Sequence, residues 1–172
     1  MKKLTVIAAV LILSLLFAAC APDTSQWDAA DLSPSADAEP FPGLELAFDL
    51  PETPTAPVNI TGTFTNTSDI PLESGGAVGR DNVLIFIPGL EVKLDGVWYS
   101  VPHEEIITAG VGLELSPGAS VSGKLDLSPF GRLPDGQYRA LYTASPRDSD
   151  ETCAAYAYFD IADGLFALPT AE

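Results

Sequence analysis

The stretch from Leu133 to Tyr142 constrains the fold more than any other part of the chain. It begins with Leu-Pro-Asp-Gly, in which the proline fixes φ and the Asp-Gly pair accommodates a tight turn. The residues that follow alternate, so Tyr138, Ala140 and Tyr142 fall on one face of an extended segment. A turn that leads directly into a half-buried strand predicts a sheet protein whose chain reverses direction here.

The same period of two recurs over most of the chain. Strands are predicted at 44–50, 58–65, 83–87, 90–94, 97–101, 121–127 and 153–161, with a short one at 113–115. The run 83–87 is apolar throughout, which indicates a central strand covered on both faces. Loops are predicted at 66–82, at 144–151 and over most of 102–118. Short strands between turns rich in proline and glycine predict one all-β domain over 44–162, a sandwich or a barrel.

Asp95-Gly96 gives the clearest hairpin signal, because it lies between two alternating runs. A two-residue turn at this point pairs Val92 with Tyr99 and places Trp98 on the opposite face. Trp98 is then either a core residue of a second face or an exposed platform on which a ligand could stack. An aromatic side chain of this size is expected to be partly buried.

Several segments resemble the bacterial immunoglobulin-like (Big-type) domains of exported and membrane-attached proteins. They are DGVWY followed by VP at 95–102, LSPG at 115–118, LPDGQYR at 133–139 and, upstream, FTNT at 64–67. The resemblance implies an immunoglobulin-like antiparallel β-sandwich over most of 58–161, without a common catalytic site. It also implies that Tyr138 forms a tyrosine corner, whose hydroxyl bonds to the backbone a few residues upstream. Ala140 stands where antibody-type domains have a bridging cysteine, so packing alone is expected to hold the sheets together.

Residues 1–19 are predicted to be a signal peptide. Lys2 and Lys3 precede an apolar run that is too short to span a bilayer comfortably. The run ends in Leu-Phe-Ala-Ala-Cys at 16–20, which resembles the bacterial lipobox. The alternatives are an ordinary signal peptide and a buried helix with a chance cysteine.

The lipobox resemblance implies that the chain is cut between Ala19 and Cys20 and that lipid is attached to the Cys20 thiol. Acyl chains such as palmitate would then anchor the protein at the extracytoplasmic face of the cell membrane. Residue 21, directly after the lipidated cysteine, is alanine and not the aspartate of a retention signal. In a host with two membranes, the sequence is therefore compatible with attachment to the outer membrane.

Residues 20–43 are predicted to be the lipidated cysteine and a flexible linker, because they are acidic and rich in Pro, Ala and Ser. Such a chain would reach about 25–30 Å on average. Trp27 is the exception in this segment. It could lie at the lipid headgroups, dock on the domain or do neither. Residues 163–172 are predicted to be a loose tail.

The formal net charge of −16 excludes one class of function. Removal of residues 1–19 takes away two lysines and no acid, which brings the charge to −18. A surface this acidic repels nucleic acid and anionic headgroups, so nucleic-acid binding is excluded.

Catalytic and metal chemistry have little support in the sequence. His103 is the only histidine, and with Glu104 and Glu105 it falls short of a convincing zinc site, so a solvated loop is expected. The nucleophile elbow Gly-x-Ser-x-Gly does not occur, and neither an enzyme nor a cofactor is predicted. Cys153 lies in an apolar run and is expected to be a small buried residue rather than a reactive thiol.

The loop 145–151 is the predicted partner-binding site. Asp148, Asp150 and Glu151 cluster there, and calcium coordination and a plain solvated turn are the alternatives. In an immunoglobulin-like sandwich this loop and the loop 66–82 share the end at which the chain enters the domain. The anchored linker would therefore bring both loops toward the membrane unless it bends back.

Two functions follow as expectations. The first is a lipid-anchored, non-catalytic interaction module that binds an envelope protein or polymer. The second is a small accessory or inhibitor lipoprotein that acts on one envelope enzyme.

Overall fold

The computed structural model describes residues 27–36, 40–49, 59–79, 82–103, 110–167 and 169. The predicted signal peptide and Cys20 lie outside these residues. The described strands are β1 (Ser33–Pro34), β2 (Leu44–Asp49), β3 (Asn59–Asn66), β4 (Leu72–Val78), β5 (Leu84–Phe86), β6 (Gly89–Leu94), β7 (Val97–Ser100), β8 (Gly110–Leu115), β9 (Ser120–Asp126), β10 (Gly136–Pro146), β11 (Cys153–Ala162) and β12 (Leu165–Ala167). Two short 3-10 turns, Ala29–Asp31 and Ser128–Phe130, accompany them, and the predicted all-β fold is confirmed.

The strands form two packed sheets. Sheet A has the order β1-β7-β6-β10-β11-β12, and its neighbours are antiparallel. Sheet B has the order β2-β3-β9-β5-β4-β8, in which β5 and β9 run parallel. The sheets join where Ser145 and Pro146, at the end of β10, pair with the start of β4. The orders β2-β3-β9 and β7-β6-β10-β11 are those of strands A-B-E and C′-C-F-G in an immunoglobulin-like sandwich.

The core lies between the inner faces of the two sheets. Tyr138, Ala140 and Tyr142 are 1, 0 and 5 % exposed, which confirms the face predicted for this strand. Phe64 of β3 faces Tyr142 across the sandwich, with ring centroids 3.7 Å apart. Cys153 is a free thiol buried in the same core, as expected, and this burial raises its pKa.

The hairpin of β6 and β7 has the predicted turn and register. Asp95 and Gly96 have φ values of 50° and 84°, which fits a type I′ turn. Val92 pairs with Tyr99, so Trp98 lies on the opposite, outer face of sheet A.

The predicted loops and tail are wrong in part. The loop predicted at 144–151 begins later, because β10 continues to Pro146. Within 66–82, β4 pairs along most of its length with β8, which begins at Gly110 rather than at 113. Gly75-Gly76 has the composition of a turn, but these residues pair with 111 and 112, a partner too distant in sequence to foresee.

Within the predicted tail 163–172, β12 pairs with β11. Phe166 is 4 % exposed, and its ring stacks on Phe159 at 4.9 Å. The turn at Asp163-Gly164, with positive φ at both residues, returns the chain to the sheet.

The apolar run 83–87 forms the short strand β5, which is central because it pairs with both β4 and β9. Phe86 is 1 % exposed, and Ile85, on the opposite face of the strand, is half-buried. The expectation that both faces are covered is therefore wrong in part, because the second face is only partly covered.

Candidate functional site

The alternation of β10 places consecutive residues in two different regions. Tyr138 points into the sandwich, and Arg139 lies on the outer side of sheet A. The corner is defined as Trp27, Pro134 and Tyr138. The aromatic face is defined as Arg139 together with the residues near it on the outer side of sheet A, which are Lys93, Trp98, Tyr156 and Tyr158.

The tyrosine corner is present. The Tyr138 hydroxyl donates a hydrogen bond of 2.7 Å to the backbone carbonyl of Pro134, four residues upstream. Burial is the main cause that raises the pKa of Tyr138 to about 12, against the opposing effect of a hydrogen bond from Trp27. The bond ties the turn that precedes β10 to the core.

Trp27 completes the corner. Its Nε1 donates a 2.9 Å hydrogen bond to the Tyr138 hydroxyl, so the phenol both donates and accepts. The indole packs against the core, as do the half-buried side chains of Leu32 and Phe41. Of the three alternatives for Trp27, docking on the domain is therefore the one observed.

The segment around Trp27 is fixed at several points. Asp28 accepts a hydrogen bond of 2.9 Å from the backbone N–H of Ala30 and caps the first 3-10 turn. β1 pairs with β7, and the N–H of Ser35 donates to the carbonyl of Trp98 at 2.9 Å. The prediction of a flexible linker is wrong for the described residues 27–36 and 40–43. Apolar burial and hydrogen bonds to the edge strand offset the entropy lost on ordering.

The corner and the acidic loop lie at opposite ends of the sandwich. From Tyr138 to Pro146, β10 rises about 26 Å, and the acidic loop, residues 147–151, follows its far end. Leu44, at the start of β2, pairs with Asn66 near the loop end, as expected. The segment upstream of Leu44 bends back to the corner. This is the arrangement in which the linker does not bring the two loops toward the membrane.

The acidic loop is braced by one arginine. Arg147 forms ion pairs with Glu73 of β4, at 2.8 Å, and with Glu114 of β8. These carboxylates raise the pKa of the Arg147 guanidinium. The N–H of Arg147 donates to the carbonyl of Pro71 at 3.3 Å, so the segment before β4 and the loop after β10 do meet.

The three predicted partner-binding carboxylates, Asp148, Asp150 and Glu151, are all exposed on that loop. Among the described residues, no group of three or more His, Cys, Asp or Glu side chains could hold a metal ion. His103 lies against the ring of Phe130, with centroids 5.3 Å apart. The predicted neighbours Glu104 and Glu105 lie outside the described residues.

The aromatic face is organised around a buried arginine. Arg139 is 7 % exposed, and its Cζ lies 4.5 Å from the Trp98 ring centroid and 4.3 Å from that of Tyr156. Its Nε forms an ion pair with Glu91, which is 6 % exposed. Its Nη2 is buried and has no hydrogen-bond partner among the described residues.

Two of the aromatic rings beside this arginine, Trp98 and Tyr158, reach solvent. Trp98 is half-buried, as its size led us to expect, and Tyr158 is 43 % exposed. Their ring centroids are 5.9 Å apart and their planes are inclined at 56°. Lys93 Nζ lies 5.9 Å from the Trp98 ring centroid, so two cations, Lys93 and Arg139, lie near the indole.

A groove of about 250 Å³ opens between these rings. Its polar residues are Lys93, Gln137 and Asp160, which the register of β6, β10 and β11 places side by side. The full set that lines it is Lys93, Trp98, Gln137, Tyr138, Tyr158, Asp160 and Pro169. The arrangement offers stacking surfaces together with hydrogen-bond donors and acceptors, which is the chemistry of binding.

No family model matches the sequence, and no curated protein matches it either. In the part of the chain that the structure describes, no helix is long and apolar enough to cross a membrane.

Proposed function

We propose that the chain is a membrane-anchored extracytoplasmic lipoprotein whose immunoglobulin-like domain is a non-catalytic binding module. The aromatic face is the observation that carries this proposal. A buried ion pair such as Arg139–Glu91 contributes little net stability, because desolvation offsets its Coulomb attraction. The stability of the fold therefore does not explain why this pair lies beneath two rings that reach solvent. Exposed apolar surface with a polar rim is typical of interaction sites.

The position of Trp27 supports a definite orientation for the anchored domain. Seven peptide units separate Cys20 from Trp27, and a fully extended chain of this length spans at most about 25 Å. With lipid on Cys20 and Trp27 docked, the corner is the end nearest the bilayer. The acidic loop then faces away from the membrane, and the aromatic face stands on the side of the domain, open to an envelope protein or polymer.

Metabolic labelling with an alkyne fatty acid tests the anchor. Wild-type protein should take up the label and sediment with membranes, and Cys20→Ala should lose both properties. Cys153→Ala is the matched control, because it removes the other cysteine and should keep the label. Label and membrane association that survive Cys20→Ala would contradict the anchor.

The acidic loop supports a second function, that of an accessory or inhibitor lipoprotein acting on one envelope enzyme. Its carboxylates are exposed at the end that faces away from the proposed anchor, and Arg147 braces the loop against two strands. A stoichiometric protein complex that is lost on charge reversal of Asp148, Asp150 and Glu151, and kept in Tyr158→Ala, would favour this function. Binding that depends on Tyr158 and not on the loop would favour the first.

A further inference from the structure

We infer that the groove between Trp98 and Tyr158 binds a neutral saccharide. The inference depends on the proposed binding function and names the class of its ligand.

The Trp98 ring is held in place before any ligand arrives. Arg139 Cζ lies at cation–π distance from the Trp98 and Tyr156 rings, its Nε pairs with Glu91, and the Tyr158 ring centroid lies 5.9 Å from that of Trp98. A side chain that is already ordered loses little conformational entropy on binding. The face therefore suits a ligand whose contacts are individually weak.

The shape of the groove fits one sugar ring. A pyranose has an apolar C–H face and a rim of hydroxyl groups. The inclined rings of Trp98 and Tyr158 offer two surfaces to C–H groups, and Gln137 and Asp160 offer donors and acceptors to hydroxyls. A volume of about 250 Å³ lies below the range of a drug-sized pocket, so one ring would enter while the rest of a polymer lies along the open sheet.

Charge selects a neutral ligand. Lys93 and Arg139 balance Glu91 and Asp160 on this face, so the local formal charge is zero. The whole chain has a formal net charge of −16, and its field repels polyanions. Polymers that carry phosphate or uronate are therefore disfavoured.

The two tryptophans make a direct test. In Trp27→Phe, Trp98 is the only tryptophan, and its fluorescence reports on the groove. Cellohexaose, chitohexaose and maltohexaose are the neutral probes, with polygalacturonate and a proline-rich decapeptide as competitors of different chemistry. We expect a saturable fluorescence change with at least one neutral hexasaccharide.

Variants at position 158 assign the signal to the groove. Tyr158→Ala should weaken binding at least about tenfold, which corresponds to about 1.4 kcal/mol. Tyr158→Phe is the matched control, because it keeps the ring, and it should retain most of the affinity. Circular dichroism should show both variants folded, since Tyr158 lies at the surface.

Three outcomes would overturn the saccharide assignment. They are no response to any neutral hexasaccharide, equal affinity in Tyr158→Ala, and a response only to the decapeptide or to polygalacturonate. Failure of the wider proposal is distinguishable from these. If no neutral hexasaccharide binds but an envelope partner is captured in cells by wild type and not by Tyr158→Ala, the saccharide assignment fails and the binding module stands.

Discussion

Tyr138 and Arg139 are consecutive residues of β10, and both are almost completely buried, but they lie on opposite sides of sheet A. At the corner the Tyr138 hydroxyl both donates and accepts a hydrogen bond, and the ring stacks on Phe159 at 5.4 Å. On the aromatic face Arg139 keeps a buried donor without a partner among the described residues, beneath rings that reach solvent.

The difference separates stability from function. A buried polar group with all its partners adds to stability and fixes the fold, whereas a partly satisfied buried charge costs stability. Local departures from the rules of good packing are expected where a protein binds or reacts. The corner accordingly serves folding, and the aromatic face is where we propose that the domain binds its partner.

The strongest test of this comparison removes one tyrosine from each region. Tyr138→Ala should lower the free energy of unfolding by about 3–5 kcal/mol, as for other buried aromatic side chains. Tyr158→Ala should change it by no more than about 0.5 kcal/mol, because that ring is 43 % exposed. Urea unfolding monitored by circular dichroism measures both, and similar costs would break the distinction.

The ion pair gives the next largest effect. Arg139→Met should cost about 3 kcal/mol, because it leaves the buried carboxylate of Glu91 unpaired. The double variant with Glu91→Leu should recover to within about 1 kcal/mol of wild type in the same unfolding experiment. A double variant as unstable as the single one would show that the ion pair stabilises the fold. The aromatic face would then serve stability, as the corner does.

Alkaline pH sharpens the assignment of the corner. The pKa of Tyr138 is about 12 in the folded protein and about 10 in an unfolded chain, so only the unfolded state loses the proton in between. The contribution of this pKa difference to the free energy of unfolding is fully present below pH 10. The free energy of unfolding should therefore fall by about 2 kcal/mol as the pH rises to 12.

Tyr138→Phe should lack this part of the pH dependence. Burial also raises the pKa of Tyr142, but Tyr142 is present in both proteins, so the difference between them isolates Tyr138. Parallel stability curves for wild type and Tyr138→Phe between pH 10 and 12 would show that the corner phenol is solvated.

The smallest expected effect concerns the hydrogen bonds themselves. Tyr138→Phe should cost about 1 kcal/mol at neutral pH. A double-mutant cycle with Trp27→Phe should give a coupling of about 0.5–1 kcal/mol, since the two side chains share a bond. The same cycle with Trp98→Phe is the control and should show coupling below about 0.3 kcal/mol.

Local patterns predicted the parts of the fold that neighbouring residues determine. Asp95-Gly96 set the hairpin, and the alternation after Gly136 gave the inner face, whereas the tyrosine corner was implied by the resemblance to immunoglobulin-like domains. β12 and the docking of Trp27 could not be predicted in this way. Trp27 finds its partner 111 residues further along the chain, and no local period reports such a contact.

Only part of the aromatic face could be predicted from the sequence. The alternation that turns Tyr138 inward also turns Arg139 outward, and the hairpin places Trp98 on the same side. Its association with Tyr156 and Tyr158 depends on the register between β10 and β11, in which Arg139 lies opposite Tyr158. The alternation of Tyr156 and Tyr158 indicated that both rings lie on one face of a strand. It did not indicate which residues they contact.

Photo-cross-linking in intact cells tests the central claim most directly. A photoreactive phenylalanine analogue would replace Gln137, which is exposed at the groove and leaves the aromatic rings intact, and in a second protein it would replace Asp150 on the acidic loop. We expect a cross-linked envelope component from position 137 and none from position 150. A partner captured from position 150 alone would contradict the account and assign recognition to the acidic loop.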